Sequence, residues 1–152
     1  MNGTRRSKNS SASEHRALLD KVASTSSEKR AITPDVREGT ASNRRLFVDM
    51  NQHPGRPDGA AVDADGCYWT CANDAGQLLR FTPEGKLDRS ITLPVKKPSM
   101  CAFGGERYDT LYVTSIRPQS AADLAEQPDA GAVFAVHPGI QGLPEAEFGR
   151  MQ

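Results

Sequence analysis

A short strand–turn–strand unit that occurs twice constrains the fold more than any other feature of this sequence. The first copy covers residues 57–72 and is divided by Asp65-Gly66, a pair that strongly favours a two-residue β-hairpin. Beyond this turn, Cys67, Trp69 and Cys71 alternate with other side chains, which indicates a strand with two distinct faces. Further turn signals at 73–76 and 83–86 separate two more strands, over 77–82 and 87–93.

The same plan recurs in the second half of the chain. The motif Asp-x-x-Tyr-x-Thr that begins at Asp65 returns at Asp109, and segment 76–83 is matched by 131–138. Four short strands per repeat of about 40 residues are typical of β-propeller blades. A small β-sandwich is the alternative, but it does not require the two halves to resemble each other. We therefore predict an all-β fold, a partial β-propeller of about two to two and a half four-stranded blades.

An insertion over residues 117–129 interrupts the second copy. Ser120 and Asp123 within it form a capping box, which predicts a helix of one to two turns that ends before Pro128. The aromatic side chains on the strands are expected in the core between blades rather than on a sugar-binding platform. These are Tyr68, Trp69, Phe81, Phe103 and Phe134.

Residues 1–45 have a different composition from the rest of the chain. The sequence has 19 basic and 19 acidic residues, but the basic ones are in excess before residue 46 and the acidic ones after it. Residues 1–45 are also rich in Ser and poor in large apolar residues, so they are predicted to form a disordered, solvated tail. A marginal helix over 14–22 is the exception. The second part, 46–152, is predicted to begin with the strand Leu46-Phe47-Val48 and to contain the blades.

The three cysteines are Cys67, Cys71 and Cys101. An odd number without a secretory signal pattern argues against a disulfide framework and predicts buried free thiols in a reducing, cytoplasmic location. Their spacing is not that of a zinc knuckle. No apolar run approaches the roughly 18 residues that span a membrane, and no basic patch is typical of nucleic-acid binding. We therefore expect neither a membrane nor a nucleic-acid partner.

Asp58 is the candidate functional carboxylate. It lies at the start of the first copy, whereas Ser99 occupies the aligned position in the second copy. A scaffold that is repeated without its acid indicates that the acid serves chemistry, although the residues alone leave open that Asp58 caps a turn after Pro57. Asp63 and Asp65 match part of a calcium-loop pattern but lack its third acid and its closing glutamate, so they predict a hairpin turn.

Ordered motifs run through most of the second part of the chain. They are Pro57-Asp58-Gly59-x-x-Val62-Asp63-x-x-Gly66-x-x-Trp69, Gly76-x-Leu78-x-Arg80-Phe81-x-Pro83-x-Gly85, Leu93-Pro94-Val95, Pro98-Ser99-x-Cys101-Ala102-Phe103-Gly104-Gly105, Thr110-Leu111-Tyr112-Val113-Thr114-Ser115 and Gln127-Pro128-x-Ala130-Gly131. With these motifs, residues 46–148 resemble the C-terminal part of the senescence marker protein/gluconolactonase/regucalcin family.

The resemblance implies a six-bladed propeller that holds one divalent metal, Ca²⁺ or Zn²⁺, in its central channel and hydrolyses sugar lactones. In the family a Glu, an Asn and the Asp of the Pro-Asp-Gly motif hold the metal, and that Asp corresponds to Asp58. The resemblance thus assigns Asp58 as both metal ligand and catalytic group. Because residues 1–45 show no resemblance to the segments that carry the Glu and the Asn, we expect a truncated member with an incomplete metal site.

Two hypotheses about function follow. The first is a metal-dependent sugar-lactone hydrolase, whose partner is the small-molecule lactone. The alternative is a non-catalytic partial propeller that binds calcium weakly or acts as an interaction module, or an inactive fragment. An open propeller has unpaired strand edges, so two copies are expected to associate through them. Turnover that depends on both metal and Asp58 distinguishes the enzyme from the alternative.

Overall fold

A computed structural model describes residues 23–25, 30–37 and 40–144, together with the side chains of residues 31, 40 and 42–144. The described part is mostly β-strand, so the predicted all-β class is confirmed. The strands are β1 (Ala23–Thr25), β2 (Arg30–Arg37), β3 (Thr40–Asp49), β4 (Arg56–Val62), β5 (Tyr68–Asn73), β6 (Gln77–Phe81), β7 (Leu87–Thr92), β8 (Pro98–Gly104), β9 (Thr110–Ser115) and β10 (Val133–Val136).

The strands form three antiparallel sheets in chain order. The first sheet contains β1–β2–β3, the second β4–β5–β6–β7 and the third β8–β9–β10, and none of them closes into a barrel within the described ranges. Each sheet is a meander, because neighbours in sequence are also neighbours in space. The four-stranded plan is present in full in the second sheet, while the flanking sheets show three strands each. The predicted number of four-stranded blades is therefore not confirmed.

Residues 1–45 are predicted to form a disordered tail, but the described parts of this segment form β-strands. β1, β2 and the first part of β3 lie within it, and β2 pairs with β3 from Arg30 opposite Asp49 to Arg37 opposite Thr40. Ala31 is fully buried in a cluster with Val48. Backbone pairing supports these strands even though large apolar residues are few in the segment, and Ala31 is a buried side chain among those described there. The predicted helix over 14–22 lies outside the described residues.

Two apolar layers pack against the two faces of the second sheet and bury its strand β5 and most of β6. The layer shared with the third sheet is centred on Trp69, Cys71, Leu78, Cys101, Leu111 and Val113, with Phe103 and Phe134 packed against it. The layer shared with the first sheet is formed by Ala31, Val48, Met50, Val62, Tyr68, Ala72, Leu79 and Phe81. The predicted alternation along β5 and the predicted aromatic core are therefore confirmed. The second sheet is the central layer of the described structure.

A helix, α1 (Ala121–Glu126), lies in the insertion between β9 and β10. The Ser120 hydroxyl accepts a hydrogen bond from the backbone N–H of Asp123 at 3.0 Å and donates one to the Asp123 carboxylate at 2.7 Å, so the predicted N-cap is confirmed. Among the described residues, no helix has the length and apolar character that crossing a bilayer requires.

The three cysteines are buried and form no disulfide, which confirms the predicted free thiols. Burial raises the pKa of the Cys67 thiol. A hydrogen bond with Cys101, together with burial, raises the pKa of the Cys71 thiol. Cys67 and Cys71 are therefore protonated structural side chains at neutral pH. The cytoplasmic location that they suggested stays a prediction.

One face of the third sheet is apolar and exposed. Met100, Tyr112 and Val133 are 48%, 44% and 63% exposed, and the strand register places them on the face opposite the buried layer. In the second sheet, by contrast, β5 and most of β6 are buried. Self-association through open parts of the fold stays a prediction.

A buried ion pair lies at the turn between β4 and β5. The Asp63 carboxylate is fully buried and accepts four hydrogen bonds. Its Oδ1 accepts from the backbone N–H groups of Asp65 and Cys67, both at 3.0 Å. Its Oδ2 accepts from Trp69 Nε1 at 2.8 Å and from Arg80 Nε at 2.7 Å. The carboxylate thus closes the turn, orients the indole and pairs with the guanidinium, as a buried charge must.

The Arg80 guanidinium connects this turn to the far side of the sheet. It is buried, donates to Asp65 and Asp88 at 2.9 Å each, and lies 5.9 Å from the centre of the Trp69 ring. Burial alone lowers the pKa of Arg80, but hydrogen bonds to Asp63 and Asp88 outweigh it and raise that pKa above its usual value. Arg80 therefore stays charged and joins β6 to the turn and to β7.

Replacing Asp63 by Ala is expected to lower the free energy of unfolding by about 3–5 kcal/mol, because four donors at this turn, among them Arg80 Nε and the Trp69 indole N–H, lose their acceptor. Urea denaturation measures this loss. The control is Asp65→Ala, which removes a carboxylate that is 62% exposed from the same guanidinium and is expected to cost no more than about 1 kcal/mol. Equal losses in the two variants contradict this account.

Burial raises the pKa of Tyr68 to about 12. Because this is above the value of about 10 in an unfolded chain, the buried neutral phenol adds stability below pH 10. That contribution is lost as the pH rises through about 12. Titration of phenolate absorbance is expected to show a step near pH 12 that Tyr68→Phe removes. If the absorbance step near pH 12 persists in Tyr68→Phe, its assignment to Tyr68 is contradicted.

Candidate functional site

Asp58 lies in a β-bulge near the start of β4. Pro57 is opposite Ala72 and Ala60 is opposite Thr70, so β4 has one more residue than β5 over this stretch. Bulges re-aim side chains, and they are frequent beside functional sites. Pro57 is buried here, whereas Asp58 is exposed. The bulge therefore presents the Asp58 carboxylate at one end of the sheet.

The same irregularity occurs in the third sheet. The register of β8 against β9 shifts between Pro98 and Met100, and Ser99 lies in this shift. The alignment of Asp58 with Ser99 that the repeat predicts therefore agrees with the strand register. The Ser99 hydroxyl is hydrogen-bonded to the Thr114 hydroxyl at 2.9 Å. Two equivalent bulges thus carry an exposed acid in one sheet and a hydroxyl pair in the other.

The two bulges face each other because β4 packs against β8. A Cβ on Gly59 would lie 2.5 Å from Met100 Cα and 2.6 Å from the Ser99 carbonyl oxygen. The Cys101 thiol donates to the Gly59 carbonyl at 3.7 Å. Glycine is therefore required next to Asp58, because any side chain would separate the two strands.

Replacing Gly59 by Ala is expected to destabilise the protein by about 1–3 kcal/mol, because the added methyl meets backbone atoms that cannot move aside. Thermal unfolding followed by circular dichroism measures the loss. Ala60→Gly is the control, since it changes the neighbouring position without adding volume, and it is expected to cost at most about 1 kcal/mol. A Gly59→Ala variant as stable as the unmodified chain contradicts the close approach of β4 and β8.

Hydrogen bonds from β5 hold Asp58 at both its backbone and its side chain. The Thr70 hydroxyl donates to the Asp58 carbonyl oxygen at 3.3 Å, and Asn73 Nδ2 donates to Asp58 Oδ2 at 3.0 Å. Asn73 Nδ2 also donates to the Pro98 carbonyl at 3.3 Å. Asn73 is only 4% exposed. A buried amide therefore holds one carboxylate oxygen of Asp58 and contacts the first strand of the next sheet.

Charged side chains surround this end of the second sheet. Arg56 Nε donates to Asp74 Oδ2 at 2.7 Å, and Arg56 also donates to Asn73 Oδ1 at 3.5 Å. Lys97 Nζ lies 3.8 Å from the other oxygen of Asp74. All three charges are about half exposed, so their ion pairs add little stability. Arg56 is linked to Asp58 through Asn73, which contacts both side chains.

The described residues do not by themselves fit a complete divalent-cation site. Among them, no group of three His, Cys, Asp or Glu side chains is close enough to hold a metal. Asp58 contributes one carboxylate, and the Asn73 amide oxygen is directed at Arg56. Calcium takes six to eight oxygen ligands in proteins. A site that includes Asp58 therefore needs oxygen ligands other than His, Cys, Asp and Glu side chains of the described residues.

Asp63 and Asp65 form a hairpin turn, as predicted from the incomplete calcium-loop pattern. The sequence prediction missed that Asp63 is a buried hydrogen-bond acceptor, and it treated Asn73 only as part of a turn. Two features of the sequence could have indicated a buried pair. Asp63 directly follows the apolar Val62, and Arg80 lies at an inward-facing position of β6. No sequence signal distinguished Asn73, because Asn is common in turns.

A cavity lies away from Asp58, beside the ends of β9 and β10. It is lined by Arg107, Asp109, His137, Gly139, Ile140 and Gln141. Thr110 of β9 pairs with Gly104 at the far end of β8 from Ser99, so the cavity is at the opposite end of the sheets. Arg107 is paired with Asp109 at 2.7 Å. These residues are therefore not part of the candidate site.

The described sheets are antiparallel meanders, and the second one begins with a bulged strand that carries a carboxylate. A family model, the SMP-30/Gluconolactonase/LRE-like region, matches residues 22–117. The chain belongs to this family, which confirms the resemblance seen in the sequence. Because the match begins at residue 22, it also includes part of the segment in which we expected no resemblance.

Curated relatives agree with this assignment. The chain is 48% identical over 113 residues to 6-deoxy-6-sulfogluconolactonase of Pseudomonas putida, an alignment that covers 73% of this chain and 39% of the relative. It is 38% identical over 117 residues to regucalcin of Danio rerio, with 75% of this chain and 40% of the relative covered. The chain thus spans about two fifths of the length of these relatives.

Solved structures support the fold. A calcium-binding protein, regucalcin, from Agrobacterium tumefaciens matches with a TM-score of 0.68 at 24% identity, covering 77% of this chain and 40% of that one. A luciferin-regenerating enzyme matches with a TM-score of 0.70 at 25% identity, covering 80% and 42%. These neighbours are regucalcin-like propellers.

Proposed function

We propose that this chain carries part of the active site of a sugar-lactone hydrolase, with Asp58 as the catalytic carboxylate. The observation that carries the proposal is the exposed acid in the β4 bulge, which is held by a buried amide and has only a hydroxyl in the equivalent β8 bulge. Membership of the gluconolactonase family and 48% identity to a sulfogluconolactonase support a lactone as the substrate.

Asp58 has the chemistry that lactone hydrolysis requires. Its carboxylate accepts a proton from the attacking water as the water oxygen bonds to the lactone carbonyl carbon. The ring C–O bond then breaks, and the proton passes to the departing ring oxygen. The products are the carboxyl and hydroxyl groups of the open acid, so one water is consumed. An exposed carboxylate on a rigid strand suits this role better than one on a mobile loop.

A divalent cation, Ca²⁺ or Zn²⁺, belongs to the same proposal. The similar Agrobacterium tumefaciens protein is described as calcium-binding. For this chain we propose Asp58 as one ligand, with the remaining ligands coming from groups outside the described residues. A bound cation would supply polarisation of the lactone carbonyl.

Asp58→Asn tests the proposal, because it keeps the shape of the side chain and removes its charge and its ability to accept a proton. We expect opening of gluconolactone, followed by titration of the acid released at constant pH, to fall at least about 100-fold in kcat/KM. The assay is run on the whole chain with and without Ca²⁺ or Zn²⁺, and the spontaneous rate of lactone opening is subtracted.

Asp65→Asn is the matched control, since it makes the same chemical change at the other end of β4 and β5. Its activity is expected to stay within about twofold of the unmodified chain. Hydrolysis that survives Asp58→Asn contradicts the role of Asp58. Absence of any hydrolysis above the spontaneous rate contradicts the enzymatic proposal itself.

The second candidate function is a non-catalytic module that binds calcium weakly. It is favoured by the lack of a group of three potential ligands among the described residues. Calorimetric titration separates the two candidates. The module shows calcium binding that Asp58→Asn weakens, without lactone turnover, whereas the enzyme shows both.

A further inference from the structure

The amide of Asn73 makes hydrogen bonds with both of its ends although it is only 4% exposed. Its Nδ2 donates to Asp58 Oδ2 and to the Pro98 carbonyl, and its Oδ1 accepts from Arg56. A buried amide that loses these partners carries a desolvation penalty. Asn73 of β5 is therefore held by two other strands, since Arg56 and Asp58 lie in β4 and Pro98 lies in β8.

The charges around Asn73 select one orientation of its amide. Arg56 bears only donors and therefore requires the amide oxygen. Asp58, as a carboxylate, and the Pro98 carbonyl bear only acceptors and require the amide nitrogen. A rotation of the amide by half a turn would place like groups against each other on both sides. Arg56, itself paired with Asp74 at 2.7 Å, thus fixes which end of Asn73 faces Asp58.

With the Asn73 amide in this orientation, the two carboxylate oxygens of Asp58 have different hydrogen-bond partners. Oδ2 accepts the hydrogen bond from Asn73, whereas no described residue donates a hydrogen bond to Oδ1. The backbone of Asp58 is held separately by the Thr70 hydroxyl. The carboxylate is therefore restrained through one oxygen, and the other remains available to a ligand.

We propose that Asn73 is a positioning residue that holds the Asp58 carboxylate by Oδ2, with its own orientation set by Arg56, so that Oδ1 is the oxygen that meets the substrate or its water. This inference rests on the proposed function of Asp58. It adds a residue that the motif of the first strand does not contain. Preorganisation of this kind affects the rate steeply, because small displacements of a reacting group are costly.

Two variants separate positioning from packing. Asn73→Ala removes the amide and leaves a cavity, whereas Asn73→Leu removes the amide and keeps most of the volume. Positioning predicts that both lower kcat/KM for gluconolactone by about 10- to 100-fold with less than about threefold change in KM. Recovery of activity in Asn73→Leu would show that the residue only fills space, which overturns the proposal. Ser99→Ala, at the equivalent bulge, is the control.

A double-mutant cycle tests whether Asn73 acts through Asp58. If it does, Asn73→Ala lowers the residual rate of the Asp58→Asn variant by less than about threefold, although it lowers the rate of the unmodified chain about 10- to 100-fold. If Asn73 merely stabilises the fold, the two effects multiply, and the proposal is overturned. Urea denaturation of each variant confirms that the assays compare folded chains.

A measurement that needs no turnover distinguishes failure of this inference from failure of the proposed function. The side-chain amide of Asn73 gives its own signals in a ¹H–¹⁵N spectrum. Asp58→Ala is expected to shift these signals and to speed exchange of the amide protons at least about tenfold, whereas Ser99→Ala leaves them in place. If the Asn73 signals are unchanged in Asp58→Ala, the positioning role is overturned, whatever activity the chain has. If the chain has no lactonase activity but its Asn73 signals respond as stated, the contact between Asn73 and Asp58 is supported. In that case only the enzymatic proposal is contradicted.

Discussion

The buried pair of Asp63 and Arg80 sets the register on which the candidate site depends. Asp63 closes the β4–β5 turn, holds the Trp69 indole and binds the guanidinium, all at one end of the second sheet. A slip of one residue would turn every side chain of β4 to the wrong face. With the turn end fixed, the extra residue of β4 is accommodated at the other end, in the bulge that contains Asp58.

The two ends of the second sheet therefore have different roles. At the turn end, the buried pair of Asp63 and Arg80 and the Trp69 indole stabilise the fold. At the bulge end, Thr70 and Asn73 of β5 hold Asp58 by hydrogen bonds, and its carboxylate reaches solvent. The close approach at Gly59 joins both bulges across the sheets. The position of the exposed Asp58 carboxylate thus depends on the packing of β4 against β8.

Local patterns predicted much of this architecture. Asp65-Gly66 and the alternation along β5 gave the hairpin and its two faces, and the repeat correctly aligned Asp58 with Ser99. The pairing of β2 with β3 escaped prediction, because it depends on backbone hydrogen bonds in a segment with few large apolar residues. Asn73 escaped for a different reason: its role arises from Arg56, Asp58 and Pro98, which are distant in sequence and meet only in the folded sheets.

Peptide-resolved amide hydrogen exchange, with and without Ca²⁺ or Zn²⁺, tests the central claim that folded sheets present Asp58 as a ligand-binding carboxylate. The account predicts strong protection across β4, β5 and β6 without cation, and additional protection in the peptides that contain Asp58 and Asn73 when cation is added. The Asp58→Asn variant should keep the first effect and lose the second. Uniformly fast exchange, or cation-induced protection that persists in this variant, would contradict it.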